Sequence, residues 1–91
     1  MKVDIQIDLL GGNCPVQAEG TFNGIEFYFR ARGEGWSIGV GGETDLAPDW
    51  YFEQPYGTKK FAAGWMSVAE ARAFIEVAAR RWIEAATKAE A

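Results

Sequence analysis

An Asn-Gly dipeptide at positions 23 and 24 restricts the fold of this chain more than any other feature of its sequence. Asn and Gly tolerate the positive φ angles of a type I′ turn, whose twist matches that of the strands it joins. A two-residue turn at this point also brings the large apolar side chains onto one face. Turn chemistry and hydrophobic pattern therefore predict the same β-hairpin independently. Its register pairs Phe22 with Ile25, Gly20 with Phe27, Ala18 with Phe29 and Val16 with Ala31.

Alternation of apolar and polar residues predicts two further strands. Val3, Ile5, Ile7 and Leu9 share one face of residues 2–9, while Trp36, Ile38 and Val40 share one face of residues 36–40. With the hairpin, these strands form a four-stranded antiparallel β-meander over residues 2–9, 15–22, 25–32 and 36–40. The period of two fails between residues 41 and 64. This segment is predicted to be a long aromatic loop, and a short strand near residues 50–53 is an open alternative within it.

The C-terminal third of the sequence predicts one amphipathic helix. Ser67 and Glu70 have the spacing of a capping box, in which each side chain accepts a hydrogen bond from the other residue's backbone N–H. The apolar residues that follow are spaced three and four apart. We therefore predict a helix over residues 67–87 that packs on one face of the sheet. The fold class is α+β, and residues 1–91 are expected to form a single domain.

The charge distribution favours a basic protein partner. The net charge is −4, and residues 1–57 hold nine acids but only three bases. Such a chain repels nucleic-acid phosphates and anionic membranes, so neither is an expected partner. No segment has the roughly 20 apolar residues of a membrane span, no signal-peptide pattern is present and a single cysteine cannot form an internal disulfide. We expect the protein in a soluble, reducing, cytoplasmic setting.

Catalytic chemistry finds little support in this composition. The chain has no histidine, which is the commonest general base and metal ligand. Cys14 has no histidine to activate it, so we interpret it as an unreactive thiol. The glycine-rich stretches 33–35 and 39–42 match neither the dinucleotide fingerprint nor the Walker A loop. The sequence therefore predicts that the protein is not an enzyme and has no catalytic site, no cofactor and no metal.

The acidic aromatic segment of residues 43–53 is the candidate for partner binding. Aromatic side chains are frequent anchors of interfaces, and carboxylates attract a basic partner. The candidate residues are Glu43, Asp45, Asp49, Trp50, Tyr51, Phe52 and Glu53. The alternative is that two of the three rings fill the core. The polar face of the sheet is interpreted as solvated, and the alternative is that it forms a second binding site. The basic pairs Lys59-Lys60 and Arg80-Arg81 are interpreted as solvated charges.

About two-thirds of the chain resembles short uncharacterised proteins of bacteriophages and prophages. The resemblance is carried by residues 12–20, by Phe27-Tyr28-Phe29-Arg30-Ala31-Arg32-Gly33, and by Ala63-Gly64-Trp65-Met66 leading into Glu70-Ala71-Arg72. Small acidic proteins of this kind resemble anti-CRISPR proteins, which bind CRISPR surveillance complexes and block them. The resemblance implies a non-catalytic inhibitor that works in the cytoplasm of a host bacterium and covers a nucleic-acid-binding surface of such a complex. The alternative is a homodimeric structural or assembly accessory protein of a phage or mobile element.

Overall fold

A computed structural model describes residues 2–12, 15–57 and 62–90 of the chain. Five strands are followed by a short 3-10 helix and a long α-helix. These elements are β1 (Ile5–Gly11), β2 (Val16–Phe22), β3 (Ile25–Arg32), β4 (Gly35–Glu43), β5 (Ala47–Pro55), the 3-10 helix (Ala62–Trp65) and α1 (Val68–Glu90). The predictions for Cys14 and for Lys59-Lys60 concern positions outside the described residues.

The strands form one antiparallel sheet in the order β1-β2-β3-β4-β5. The α+β class is confirmed, but the prediction of four strands is wrong. Nine residues of the predicted aromatic loop form β5, which is longer than the short strand considered near residues 50–53 and pairs with β4 so that Trp50 lies opposite Val40. Three consecutive aromatic residues at 50–52 hide the period of two. Pro48 and Pro55 are tolerated because β5 is an edge strand, where a missing N–H can face away from the ladder.

The hairpin of β2 and β3 has the predicted register throughout. Asn23 and Gly24 have φ angles of 51° and 81°, as a type I′ turn requires. A Cβ atom at Gly20 would lie 2.9 Å from Cε2 of Phe27, so the ring covers the bare backbone of the glycine. The turn also holds the chain that leads into β1, because the backbone N–H of Asp4 donates to Oδ1 of Asn23 at 2.8 Å.

A β-bulge at Asp8 changes which side chains of β1 point toward the core. Ile7 pairs with Gly20 and Leu9 pairs with Glu19, so Asp8 is an additional residue between them. Leu9 is 58% exposed, whereas Leu10 packs against the core. The prediction that Leu9 shares the apolar face of Ile7 is therefore wrong. An inserted residue turns the side chains that follow to the opposite face, and the alternating pattern alone does not reveal it.

The core lies between one face of the sheet and α1. The sheet supplies the large buried side chains and the helix supplies mostly small ones. Phe22 stacks on Phe27 with 4.5 Å between ring centroids, and Trp36 stacks on Phe74 of the helix at 5.2 Å. The buried apolar side chains include Val16, Phe22, Phe27, Phe29, Trp36, Ile38 and Val40 of the sheet and Ala71, Ile75, Ala78 and Ala79 of α1. The opposite side of the sheet, here called the outer face, is not covered by the helix.

The predicted capping box is confirmed at the start of α1. The backbone N–H of Glu70 donates to Oγ of Ser67 at 3.0 Å, and the backbone N–H of Ser67 donates to Oε1 of Glu70 at 3.2 Å. These bonds satisfy two donors that have no partner within the helix. The helix extends to Glu90, three residues beyond its predicted end.

Tyr56, just after β5, ties the sheet to this helix start. Its hydroxyl donates to Oε2 of Glu70 at 2.6 Å, and its ring meets that of Phe74 edge-on at 5.8 Å. The hydrogen bond from Tyr56, followed by those from Ser67, lowers the pKa of Glu70 below its ordinary value. The same bond raises the pKa of Tyr56 above its ordinary value, since the carboxylate accepts the phenolic proton. The contact is strongest when the carboxylate is ionised and the phenol is protonated.

Candidate partner-binding surface

The hairpin of β4 and β5 divides the predicted candidate residues between two faces of the sheet. Trp50 and Phe52 lie opposite Val40 and Ile38 on the side of the helix. Asp49, Tyr51 and Glu53 alternate with them and lie on the outer face. Glu43 ends β4, and Asp45 lies in the turn that follows it. The seven residues do not form one cluster.

Trp50 and Phe52 belong to the border of the core. Their rings are 5.8 Å apart and nearly parallel, with an angle of 5° between the planes. Phe52 also meets the ring of Trp36 at 5.7 Å, and the guanidinium of Arg81 lies 5.9 Å from its centroid. Both side chains are half-buried. This placement matches the alternative in which two of the three rings serve the core.

Tyr51 is the aromatic residue of this segment that is open to solvent. It is 55% exposed on the outer face, and its hydroxyl donates to Oε2 of Glu53 at 3.0 Å. A half-exposed ring with a polar tip is a suitable anchor for a protein partner. Tyr51 therefore remains a candidate contact residue, whereas its two neighbours can contribute only through their exposed edges.

Three glycines fold the tip of the β4–β5 hairpin over the outer face. Gly41 and Gly42 have φ angles of 75° and 63°, a conformation that side chains disfavour. A Cβ atom at Gly39 would overlap the carbonyl oxygen of Thr44 and lie 2.9 Å from Cβ of Pro48. The tip, residues 43–48, can therefore lie directly on the sheet only because Gly39 has no side chain. This backbone geometry accounts for the glycine-rich stretch 39–42, for which the sequence offered no function.

The folded tip brings acids from distant parts of the sequence to one end of the outer face. A cavity of about 250 Å³ is bordered by Asp8 of β1, Glu19 of β2 and Glu26 of β3, and by Thr44 of the tip. Glu43 and Asp45 adjoin Thr44 in the chain. We call these five acids, Asp8, Glu19, Glu26, Glu43 and Asp45, the acidic end. None of the residues that line the cavity is basic.

The sequence pattern places the two halves of the acidic end in different parts of the molecule. It predicts Glu43 and Asp45 as contact residues but assigns Asp8, Glu19 and Glu26 to a solvated sheet face. Their proximity depends on Gly39 and on the two glycines with positive φ, which no local pattern connects with β1 or β2. In the sequence, the glycine-rich stretch 39–42 is the one feature that could have indicated a chain segment folded closely onto the sheet.

The part of the chain that the structure describes was compared with the usual geometry of metal clusters and of membrane-spanning helices. Within residues 2–12, 15–57 and 62–90, no three His, Cys, Asp or Glu residues lie close enough together to hold a metal ion. No helix within the same ranges is long and apolar enough to cross a membrane.

The fold and this surface define a two-layer α+β protein with an open, mainly acidic sheet face. Comparison with protein-family models, curated proteins and solved structures finds no match. The surface of this chain itself is therefore the guide to its function.

Proposed function

We propose that this protein is a non-catalytic binding protein whose acidic end docks on a basic surface of another protein. The observation that carries the proposal is that carboxylates from three neighbouring strands, together with Thr44 of the folded tip, surround one cavity that has no basic lining residue. Such a patch attracts a basic partner, raises the rate of association and disfavours acidic partners. Tyr51, exposed on the same face, supplies an anchoring ring.

The first partner to test is a bacterial CRISPR effector complex. This choice follows from the resemblance to phage accessory proteins, and the chemistry agrees with it, because such complexes bind nucleic acid through positively charged channels. In this proposal the acidic end occupies a basic surface that would otherwise contact phosphates. The protein acts as an anti-CRISPR inhibitor by preventing nucleic-acid binding.

The test compares two double variants that each remove two negative charges. Glu19→Gln with Glu26→Gln alters the acidic end, and Glu76→Gln with Glu84→Gln alters exposed acids of α1 as the matched control. Each protein is added to a panel of effector complexes, and binding of target DNA is measured by mobility shift. We expect the first pair to lose at least about tenfold in inhibition and the control pair to behave as wild type, since removing interface charges weakens charge pairing.

Ionic strength supplies a second readout of the same proposal. Attraction between exposed charges weakens as the screening length falls from about 10 Å at 0.1 M salt to about 3 Å at 1 M. The association rate of wild type should fall steeply over this range. Binding that is insensitive to both salt and the Glu19 and Glu26 substitutions would contradict docking through the acidic end, and no binding to any complex in the panel would contradict the anti-CRISPR assignment.

A further inference from the structure

The outer face carries a second, oppositely charged feature at its other end. Arg30 and Arg32 lie two residues apart on β3, so both side chains project from the outer face. Ser37 is directly opposite Arg30 on β4, and Gly35 is opposite Arg32. Glu26, at the acidic end, is six residues from Arg32 along the same strand, a separation of about 20 Å. That distance exceeds the screening length of about 8 Å at physiological ionic strength.

The two arginines border an open cavity of about 720 Å³. Arg30, Arg32, Gly35, Ser37, Glu53 and Pro55 are among its lining residues. This volume falls within the range of about 300–1,000 Å³ that is typical of small-molecule sites. A Cβ atom at Gly35 would lie 2.8 Å from the carbonyl oxygen of Gln54, so this glycine lets the backbone of β5 approach β4 closely beside the cavity. We call this region the basic corner.

The positive charge of the basic corner is not neutralised within the described part of the chain. Neither guanidinium forms an ion pair with a carboxylate of those residues. Glu53 lines the same cavity but accepts the hydrogen bond of Tyr51. Nε of Arg30 is buried and has no hydrogen-bond partner among the described residues. A buried charged donor without an acceptor is destabilising, and an anion bound by the terminal nitrogens of the same guanidinium would offset part of that cost by neutralising its charge.

We propose that the basic corner binds the phosphate group of a small phosphorylated molecule. Two guanidinium groups and the Ser37 hydroxyl offer more donors than the two oxygens of one carboxylate can use, whereas a phosphate presents three or four acceptor oxygens. Arginine also suits phosphate geometry because its planar fork can donate two parallel hydrogen bonds. The cavity is larger than a phosphate group, so the rest of the ligand lies against Gly35 and Pro55.

Glu53 narrows the class of ligand further. Its carboxylate accepts hydrogen bonds and repels additional negative charge. The preferred ligand therefore carries a hydroxyl or amino group near its phosphate. This preference can be tested with inorganic phosphate, O-phosphoserine and adenosine monophosphate. The two organic ligands should bind more tightly than inorganic phosphate. The basic corner shares no residue with the acidic end, so this site and the proposed function can fail independently.

The experiment follows the Arg30 Nε–H and Ser37 backbone N–H resonances of the ¹⁵N-labelled full chain by NMR. Each of the three compounds is titrated separately at constant ionic strength, with chloride as the balancing anion. We expect saturable shifts at both positions with a Kd of about 1 mM or lower for at least one compound. Arg30→Gln combined with Arg32→Gln should abolish saturation. Arg72→Gln, at an exposed position of α1, should leave the titration unchanged.

Two milder variants keep the test decisive if the double variant does not fold. Arg30→Lys retains the charge but loses the planar fork and should weaken binding several-fold. Ser37→Ala removes the hydroxyl and should also weaken binding. The proposal would be overturned if the chemical shifts changed linearly with concentration for all three compounds. It would also be overturned if wild type and these variants bound the compounds with equal affinity. Tighter binding of inorganic phosphate than of both organic ligands would overturn the role given to Glu53.

Discussion

Gly39 determines the shape of the candidate surface through the side chain that it lacks. In Gly39→Ala the new methyl group would overlap the carbonyl oxygen of Thr44, which belongs to the folded tip. Backbone cannot move aside as a flexible side chain can, so we expect the tip to lift from the outer face. The free energy of unfolding should fall by about 1–3 kcal/mol, the usual effect of overpacking. Chemical denaturation measures the loss, and the amide resonance of Thr44 reports the displacement.

Gly11→Ala is the matched control for that substitution. Gly11 also lies in a strand, has no positive φ, and a Cβ atom there would meet no atom within 4 Å. Its unfolding free energy should stay within about 0.5 kcal/mol of wild type. Equal stability of the two variants, with an unchanged Thr44 resonance, would contradict the close approach of the tip.

The hydrogen bond between Tyr56 and Glu70 should stabilise the fold to a degree that depends on pH. Because the fold lowers the pKa of Glu70, this carboxylate contributes to stability at pH values above its pKa in the unfolded chain. That contribution is lost as the pH falls through its pKa in the folded protein. The raised pKa of Tyr56 means that its contribution is present below the unfolded-state pKa and disappears as the pH rises through the folded-state value. The hydrogen bond therefore stabilises the fold between these limits.

Tyr56→Phe isolates this hydrogen bond because it keeps a ring facing Phe74. We expect a lower urea midpoint than wild type near neutral pH. The two midpoints should converge in acid, as Glu70 becomes protonated. A difference that stays constant from about pH 7 to about pH 3 would show that the phenol acts through packing and not through the carboxylate.

At the scale of elements, the capping box decides where α1 begins. Ser67→Ala removes the acceptor of the Glu70 backbone N–H and should cost about 1 kcal/mol of stability. Ser67→Asp retains an acceptor at the same position and should restore most of that loss. Thermal unfolding followed by circular dichroism compares the three proteins. Equal destabilisation by both substitutions would mean that the Ser67 hydroxyl has no role as a cap.

The elements show which parts of the fold are predictable from sequence. The β2–β3 register and the start of α1 were predicted correctly because turn and cap chemistry act between residues that are close in the chain. The sequence suggests only a short strand near residues 50–53 in place of the full β5, because Trp50, Tyr51 and Phe52 are all large and apolar although they alternate between the two faces. The bulge at Asp8 was missed because it depends on pairing with β2. The acidic end was missed as a unit because it forms only when the tip folds over Gly39.

At the scale of the molecule, both edges of the sheet carry features that oppose pairing with another chain. β1 has a bulge at Asp8, and β5 has prolines at positions 48 and 55. We expect a monomer of about 10 kDa by light scattering, even at high protein concentration. A concentration-dependent dimer would favour the alternative function as a homodimeric accessory protein. Tyr28→Lys would then distinguish the two surfaces, because Tyr28 lies on the outer face of the central strand β3 and the substitution leaves both edge strands unchanged.

The placement of α1 after the whole sheet has a consequence for synthesis of the protein on the ribosome. Each strand pairs with the strand that follows it, so the hairpins can form in sequence as the chain emerges. The face that holds Phe22, Phe27 and Trp36 stays uncovered until Ile75 and Trp82 leave the exit tunnel. A nascent chain halted before that point would expose an aromatic surface to chaperones and to other nascent chains. Release of the helix is the step that ends this vulnerable period.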